Sequence, residues 1–112
     1  MKPELVPIPE GKMVIIHSDK NLSVGYLVLN PGKELAKHNR PVLEHLRQIS
    51  GKSVMKIFDG NKVRDITLKE DDSLEIPASQ YHIHANPFSE FSYTLWLFNG
   101  DITEIIKSIK NR

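Results

Sequence analysis

The sequence contains no cysteine among its 112 residues. Disulfide bonds and thiolate zinc sites are therefore excluded, and a bound metal would have to be held by His, Asp, Glu or water. A chain without cysteine is typical of reducing compartments, so we expect a cytoplasmic protein.

Long apolar runs and a strong excess of one charge are also missing. No run approaches the roughly 20 apolar residues of a membrane helix, and residues 1–12 lack the apolar core of a secretory signal. The 15 basic and 14 acidic residues leave a net charge of +1, and the lysines are scattered. We therefore expect neither a membrane nor a nucleic acid as a partner.

What the sequence does contain is an apolar pattern of period two. Strand-like runs rich in Val, Ile, Leu and aromatic residues are separated by turn sequences about every ten residues. The clearest local signal is residues 53–68, where two alternating runs flank a DGN turn. The length fits a single domain over 1–112, and the pattern predicts an all-β sandwich or barrel.

The C-terminal tail changes to a helical pattern. Asp101 can cap a helix and Glu104, three residues later, can complete a capping box. The isoleucines at helical spacing are Ile102, Ile105, Ile106 and Ile109. We predict a short helix over about 101–111 that covers an end or edge of a sheet, and a dimer contact is the alternative.

Two short segments concentrate side chains that can bind a metal or an anion. His38, Arg40 and Glu44 are separated by even numbers of residues, and so are His82 and His84, so each set can share one face of an extended strand. If the segments are neighbours in one sheet, imidazoles and a carboxylate can converge. Such a set binds Fe(II) with open positions and also suits Mn, Ni, Cu or Zn. Ordinary core or surface histidines are the alternative.

The same segments resemble the two motifs of the cupin family. Residues 32–51, GKELAKHNRPVLEHLRQISG, resemble the motif G-x5-H-x-H-x3,4-E-x6-G, and residues 71–86, DDSLEIPASQYHIHAN, resemble G-x5-P-x-G-x2-H-x3-N. Seven of the ten marked positions match: Gly32, His38, Glu44, Gly51, Pro77, His82 and Asn86. Arg40 stands where the motif has its second histidine, and Asp71 and Ser79 replace two glycines.

The resemblance implies a double-stranded β-helix, a jelly-roll barrel of about six to eight strands around a small pocket, with the motif-bearing barrel over about 22–99. It also implies a homodimer, formed through the proline-rich N-terminal arm or by sheet packing. His38, Glu44 and His82 are implied as metal ligands, with Fe, Mn, Ni, Cu or Zn as the cofactor.

Arg40 leaves three interpretations open, because a guanidinium has five donors, no acceptor and a permanent charge. In the first, three protein ligands hold the metal and Arg40 turns aside. In the second, His84 supplies the missing imidazole. In the third, there is no metal cofactor, and Arg40 pairs with Glu44 or holds a substrate carboxylate or phosphate.

Gln48 and Tyr93 complete the candidate ligand-binding residues, together with Arg40 and His84. Gln48 shares a face with Glu44, and the Tyr93 hydroxyl can donate a hydrogen bond. The alternatives are a Gln48 satisfied by buried neighbours and a Tyr93 in the core or at the rim.

A fold of this kind hosts many chemistries, so three functions remain open. We favour a metal-binding cupin that binds or acts on a small molecule, as a dioxygenase-like oxidoreductase or an isomerase if it is an enzyme. The alternatives are a metal-free small-anion carrier or sensor that uses Arg40, and a structural protein with a vestigial pocket.

Overall fold

A computed structural model describes residues 2–111 as ten strands and one helix. The strands are β1 (Glu4–Ile8), β2 (Gly11–Ser18), β3 (Ser23–Leu29), β4 (Lys33–Glu34), β5 (Glu44–Ser50), β6 (Ser53–Asp59), β7 (Lys62–Leu68), β8 (Ser73–Ile76), β9 (His82–Asn86) and β10 (Ser92–Phe98). The helix α1 is Thr103–Lys110. Within the described range, no helix has the length and apolarity needed to cross a bilayer.

The strands form two antiparallel sheets. One has the order β1-β2-β3-β10-β5-β8 and the other has the order β4-β9-β6-β7. Strands distant in sequence are neighbours, as where β10 lies between β3 and β5, and this is the crossing pattern of a jelly roll. The predicted all-β jelly roll is confirmed. Its ten strands exceed the expected six to eight, because β1 and β2 extend the large sheet beyond the motif-bearing part.

The core lies between the inner faces of the two sheets. Leu29 and Ile76 from the large sheet and Met55 and Ile57 from the small sheet are almost fully buried in one apolar cluster. Burial of each such side chain stabilises the fold by about 1.5–3 kcal/mol. The alternation along each strand also decides which polar side chains enter the barrel.

The turns keep the backbone of the motif glycines even where glycine is absent. Asp71 and Ser79 have φ angles of 72° and 68°, and Gly32 and Gly51 have φ angles of 75° and 68°. All four positions are therefore in the left-handed region, which side chains other than glycine rarely adopt. The two substitutions leave the turn conformation in place, so they do not argue against the motif.

The N-terminal arm is a strand of the barrel. Its residues form β1, which pairs with β2 and leaves Pro7 opposite Lys12. A strand that contains proline is tolerated at a sheet edge, where one row of backbone groups has no partner strand. The proline content therefore masked a strand in the sequence.

The helix is shorter than predicted and begins differently. It starts at Thr103 rather than at about residue 101, and the carboxylate of Asp101 accepts hydrogen bonds from the Thr103 N–H and hydroxyl at 2.9 and 2.6 Å. Glu104 does not complete the capping box, since its carboxylate lies 3.5 Å from the ammonium of Lys107. The apolar face is as expected, because Ile106 is buried in the core.

Candidate metal site

The backbone pairs His38 with His82. The N–H of each residue donates to the carbonyl of the other, at 3.0 and 2.8 Å. Such a two-bond pair fixes the two Cα atoms at roughly 5.5 Å. The segment before β5 therefore runs beside β9, and the two imidazoles become neighbours with ring centroids 4.4 Å apart.

Glu44 approaches the same point from the opposite sheet. It is the first residue of β5 and belongs to the buried, inward-facing set of that strand. His84 lies two residues after His82 on β9 and shares its face, and the residues Glu44, His82 and His84 are each at most 4% exposed. The large sheet thus contributes the carboxylate, and the small sheet contributes two imidazoles.

The four side chains His38, Glu44, His82 and His84 form what we call the His–Glu cluster. Each offers one ligand atom, and these atoms all lie within 4.8 Å of one another. Nitrogen and oxygen ligands at 2.0–2.2 Å from a shared ion stand at most about 4.4 Å apart. A contraction of a few tenths of an ångström would bring the cluster to the size of an occupied site.

The hydrogen bonds within the cluster orient the imidazoles for a cation. The Nδ1–H groups of His38 and His82 donate to the carbonyls of Ala36 and Gln80, both at 2.8 Å. A neutral ring held in this way keeps an unshared electron pair on its other nitrogen, Nε2, and this pair can bind a cation. A carbonyl partner that sets the ring orientation is common for ligating histidines.

Three buried polar atoms of the cluster have no hydrogen-bond partner within residues 2–111: Glu44 Oε1, His82 Nε2 and His84 Nδ1. The first two lie 3.2 Å apart, yet they are not aligned as donor and acceptor. Two buried acceptors that face each other are costly unless a proton or a cation lies between them. This arrangement fits a bound metal ion.

The electrostatics favour the protonation states that ligands need. Burial first, and then electrostatic interactions with His84 and Arg40, lower the pKa of His38 to about 3. Burial alone would raise the pKa of Glu44, but its contacts with His84 and His82 hold that pKa well below its ordinary value. At neutral pH His38 is therefore neutral and Glu44 is ionised, as metal binding requires.

Arg40 lies beside the cluster and forms no ion pair with Glu44. Among the ion pairs of the described residues none involves Arg40, and its guanidinium donates to the carbonyl of Asn39 at 3.2 Å. Burial lowers the pKa of Arg40 and the nearby Glu44 offsets part of this effect, but an arginine stays charged. The geometry favours the second interpretation of the sequence, in which His84 is the fourth ligand.

Gln48 shares the inward face of Glu44 but does not reach the cluster. It is fully buried, and its amide nitrogen donates to the Ser92 hydroxyl and the Ser50 carbonyl, both at 2.9 Å. Its oxygen accepts from the hydroxyls of Ser53 and Thr94 at 2.7 and 2.8 Å. With all its groups engaged, Gln48 has none left for a ligand, and this favours the alternative of a Gln48 satisfied by buried neighbours.

Replacement of Gln48 by Leu should destabilise the protein without altering its metal content. The hydroxyls of Ser53, Ser92 and Thr94 would lose a buried partner, and we expect the free energy of unfolding to fall by about 2–4 kcal/mol. Urea denaturation measures the loss, and elemental analysis of the folded protein measures the metal. A normal stability with reduced metal content would contradict this assignment.

Tyr93 and His45 lie on the outer face of the large sheet. Along β10 the buried residues alternate with half-buried ones, and Tyr93 belongs to the half-buried set. The predicted role of Tyr93 as a ligand-binding residue is therefore not supported by its position. His45 Nδ1 lies 3.8 Å from Glu75 Oε2 on that outer face. This is expected, because His45 directly follows the inward-facing Glu44 and successive strand residues face opposite sides.

A small cavity opens beside the cluster, which we call the inner cavity. It has a volume of about 40 Å³ and is lined by Glu44 and His84, by Trp96 and Phe98 and by the apolar face of α1. The indole N–H of Trp96 donates to the sulfur of Met13 at 2.9 Å, which fixes one wall. The cavity has room for a few water molecules or a very small ligand.

The fold and the cluster together define a class: an antiparallel jelly-roll barrel with a candidate His₃Glu metal site between its two sheets. No family model matches the chain. A curated 3-hydroxyanthranilate 3,4-dioxygenase from Jannaschia sp. (strain CCS1) is 30% identical over 83 residues, which are 74% of this chain and 44% of that protein.

Solved structures of Bacillus subtilis oxalate decarboxylase are similar to the barrel. One, from work on its Mn(II) centres, has a TM-score of 0.78 at 25% identity over 88% of this chain and 28% of that one. Another, at pH 4.6, has a TM-score of 0.77 at 25% identity and the same coverage. The chain belongs to the cupin superfamily, as its motifs predicted. It spans less than half of the length of these relatives.

Proposed function

We propose that this protein is a metal-dependent enzyme that acts on a small anionic molecule, with dioxygenase chemistry as the first candidate. The observation that carries the proposal is the buried pair of His82 Nε2 and Glu44 Oε1, which lie 3.2 Å apart without hydrogen-bond partners. A divalent cation between them would satisfy both atoms.

The four residues of the His–Glu cluster would hold the metal, which would supply a Lewis-acid centre with open positions for substrate and dioxygen. Three neutral nitrogens and one carboxylate suit Fe(II) and Mn(II), and also accept Ni, Cu or Zn. The carbonyls of Ala36 and Gln80 keep the rings of His38 and His82 in the ligating orientation. The apolar helix face over the cavity would exclude bulk water.

Arg40 would bind the anionic group of the substrate. It lines the inner cavity together with Glu44 and His84, and it has no acidic partner in the described part of the chain. A guanidinium can hold a carboxylate by two parallel hydrogen bonds. The dioxygenase relative supports oxygenation, while the decarboxylase structures support an Mn(II)-dependent reaction, so a redox-neutral isomerase-like reaction is the alternative chemistry.

Metal analysis and oxygen uptake test this proposal together. Protein purified without chelator is offered Fe(II), Mn(II), Ni(II), Cu(II) and Zn(II), dialysed and analysed, and oxygen consumption is followed with a panel of small carboxylates that includes oxalate and 3-hydroxyanthranilate. We expect near-stoichiometric metal and substrate-dependent oxygen consumption with one metal.

Two histidine variants provide the matched comparison for that test. His82→Ala removes a buried cluster residue, whereas His45→Ala removes a histidine from the outer face. We expect metal and activity to be lost only in His82→Ala. Equal metal retention in both variants would sink the site assignment, and metal binding without oxygen consumption would favour the redox-neutral chemistry.

A metal-free anion carrier or sensor is the second candidate, and the unpaired charge of Arg40 favours it. If no metal is retained while small carboxylates or phosphates raise the melting temperature, this candidate replaces the first. The proposal further includes a homodimer in the cytoplasm, which family resemblance and the lack of cysteine support.

A further inference from the structure

Two cavities adjoin at the end of the barrel that carries the His–Glu cluster. Outside the inner cavity lies a second space of about 330 Å³, the outer groove, lined by Ile8, Ala36 and Ser108 among others. Five residues line both spaces: Met13, Leu35, His38, Arg40 and Ile109. These shared residues form the wall between the outer groove and the inner cavity.

The sizes of the two spaces make this wall important. An apolar cavity of about 150 Å³ can hold benzene, whereas the inner cavity has only about 40 Å³. The outer groove, at about 330 Å³, is within the range of small-molecule sites, roughly 300–1,000 Å³. A carboxylate of several heavy atoms can therefore lie against Arg40 in the groove, but the inner cavity is too small to hold it beside Glu44.

The helix contributes Ile109 of its last turn to the wall, and its short length favours movement of that turn. Its eight residues are fewer than the roughly 12–15 that an isolated helix needs to be even marginally stable. Its start is anchored, since Ile102 and Ile106 are buried in the core. Its last turn is held by Ile109, which is only partly buried, and by an ion pair of 2.8 Å between Lys110 and Glu4 of β1.

We propose that the last turn of α1 is a gate between the two spaces, with Ile109 as its closing side chain and the Lys110–Glu4 ion pair as its latch. Release of the latch lifts Ile109 away from Met13 and Leu35 and joins the outer groove to the inner cavity. The gate thereby sets the size of molecule that reaches the His–Glu cluster. Its role in catalysis rests on the proposed function, but the movement itself does not.

The chain supplies two convenient reporters for this gate. Trp96 is its only tryptophan and lines the inner cavity, so acrylamide quenching of tryptophan fluorescence measures entry without any metal. The lack of cysteine allows Glu4→Cys and Lys110→Cys to be joined by a short, reducible bis-methanethiosulfonate. The matched control joins Asp59→Cys to Arg64→Cys, an ion pair on the β6–β7 hairpin.

Cross-linking the latch should close the cavity reversibly. With the cross-link verified by mass spectrometry, we expect the quenching constant of Trp96 to fall by about threefold or more, because the open state is removed. Transfer of bound Mn(II) to EDTA, followed by EPR, should slow by about tenfold or more for the same reason. Reduction should restore both rates, and the control cross-link should change neither.

Unchanged quenching and unchanged Mn(II) transfer after cross-linking would overturn the gate. If the protein binds no Mn(II), the quenching experiment alone decides the gate, and the proposed function loses its support only if none of the other metals is bound either. Two alanine variants give an independent check, because Ile109 lines both spaces whereas Ile105 lines only the inner cavity. Ile109→Ala should raise the quenching constant by about twofold more than Ile105→Ala, and equal effects would also overturn the proposal.

Discussion

Replacement of Glu44 by Gln is expected to lower the affinity for Mn(II) or Fe(II) by at least about 100-fold, more than the loss of a group that only orients a ligand costs. Glu44 is the single acidic member of the His–Glu cluster, and it is 4% exposed. A neutral amide of the same shape would leave three imidazoles without an anion to balance the charge of the cation.

The lower metal affinity should be visible as a smaller metal-dependent increase in the free energy of unfolding. At a free metal concentration about 100 times its dissociation constant, binding adds about 2.7 kcal/mol to the free energy of unfolding of the wild-type protein. After a 100-fold loss of affinity, the same concentration adds only about 0.4 kcal/mol. Urea titrations with and without metal measure the difference, and elemental analysis after dialysis measures the retained ion.

Glu75→Gln is the matched control for this experiment. Glu75 lies on β8 opposite His45 of β5, on the outer face of the large sheet, and it is largely exposed. We expect Glu75→Gln to keep the full metal-dependent gain in stability. If Glu44→Gln keeps it as well, the His–Glu cluster does not bind the metal.

The residues that the sequence placed most directly are those whose position depends on spacing within each of the two motifs. His38, Glu44 and His82 lie together because strand parity and two turns fix them, and even the departures at Asp71 and Ser79 keep the left-handed backbone. Whether His84 joins the set in place of the motif's second histidine depends on how the segment before β5 runs past β9, and no local pattern determines that path.

The sequence could not show which face of β10 carries Tyr93. Both faces of this strand carry large apolar side chains, with Trp96 and Phe98 inside and Leu95 and Leu97 on the other face. Apolar alternation therefore gives no way to tell which set faces the core, and a shift of one residue exchanges the faces. The apolar face of the helix was predictable in the same way, but the cavity that it covers was not.

Variants of Arg40 and His84 should change metal affinity in opposite directions. His84→Gln removes an imidazole from the cluster, and we expect the dissociation constant for Mn(II) to rise by about 10- to 100-fold. Arg40→Gln removes a partly buried positive charge beside the site, so the same constant should fall, because a nearby like charge opposes cation binding. Competition with a chelator of known affinity measures both constants.

The same Arg40→Gln variant should lose affinity for anions. Two charge-assisted hydrogen bonds to a carboxylate, worth about 1.5–3 kcal/mol, would be removed, so calorimetric binding of a small carboxylate should weaken by about 10- to 100-fold. Arg40→Lys is the control, since it keeps the charge without the planar fork and should leave metal affinity nearly unchanged. Stronger metal binding with weaker anion binding is the result expected if Arg40 serves the substrate.

The double variant Arg40→His/His84→Gln separates ligand identity from simple disruption of the cavity. It returns a histidine to the position where the cupin motif has one and removes the histidine that the structure brings to the cluster. If position 40 can reach the ion, metal affinity should recover by about tenfold over His84→Gln alone, because one imidazole again completes the set. Retention of full metal affinity in His84→Gln itself would instead mean that His38, Glu44 and His82 suffice, and that His84 is a buried neighbour rather than a ligand.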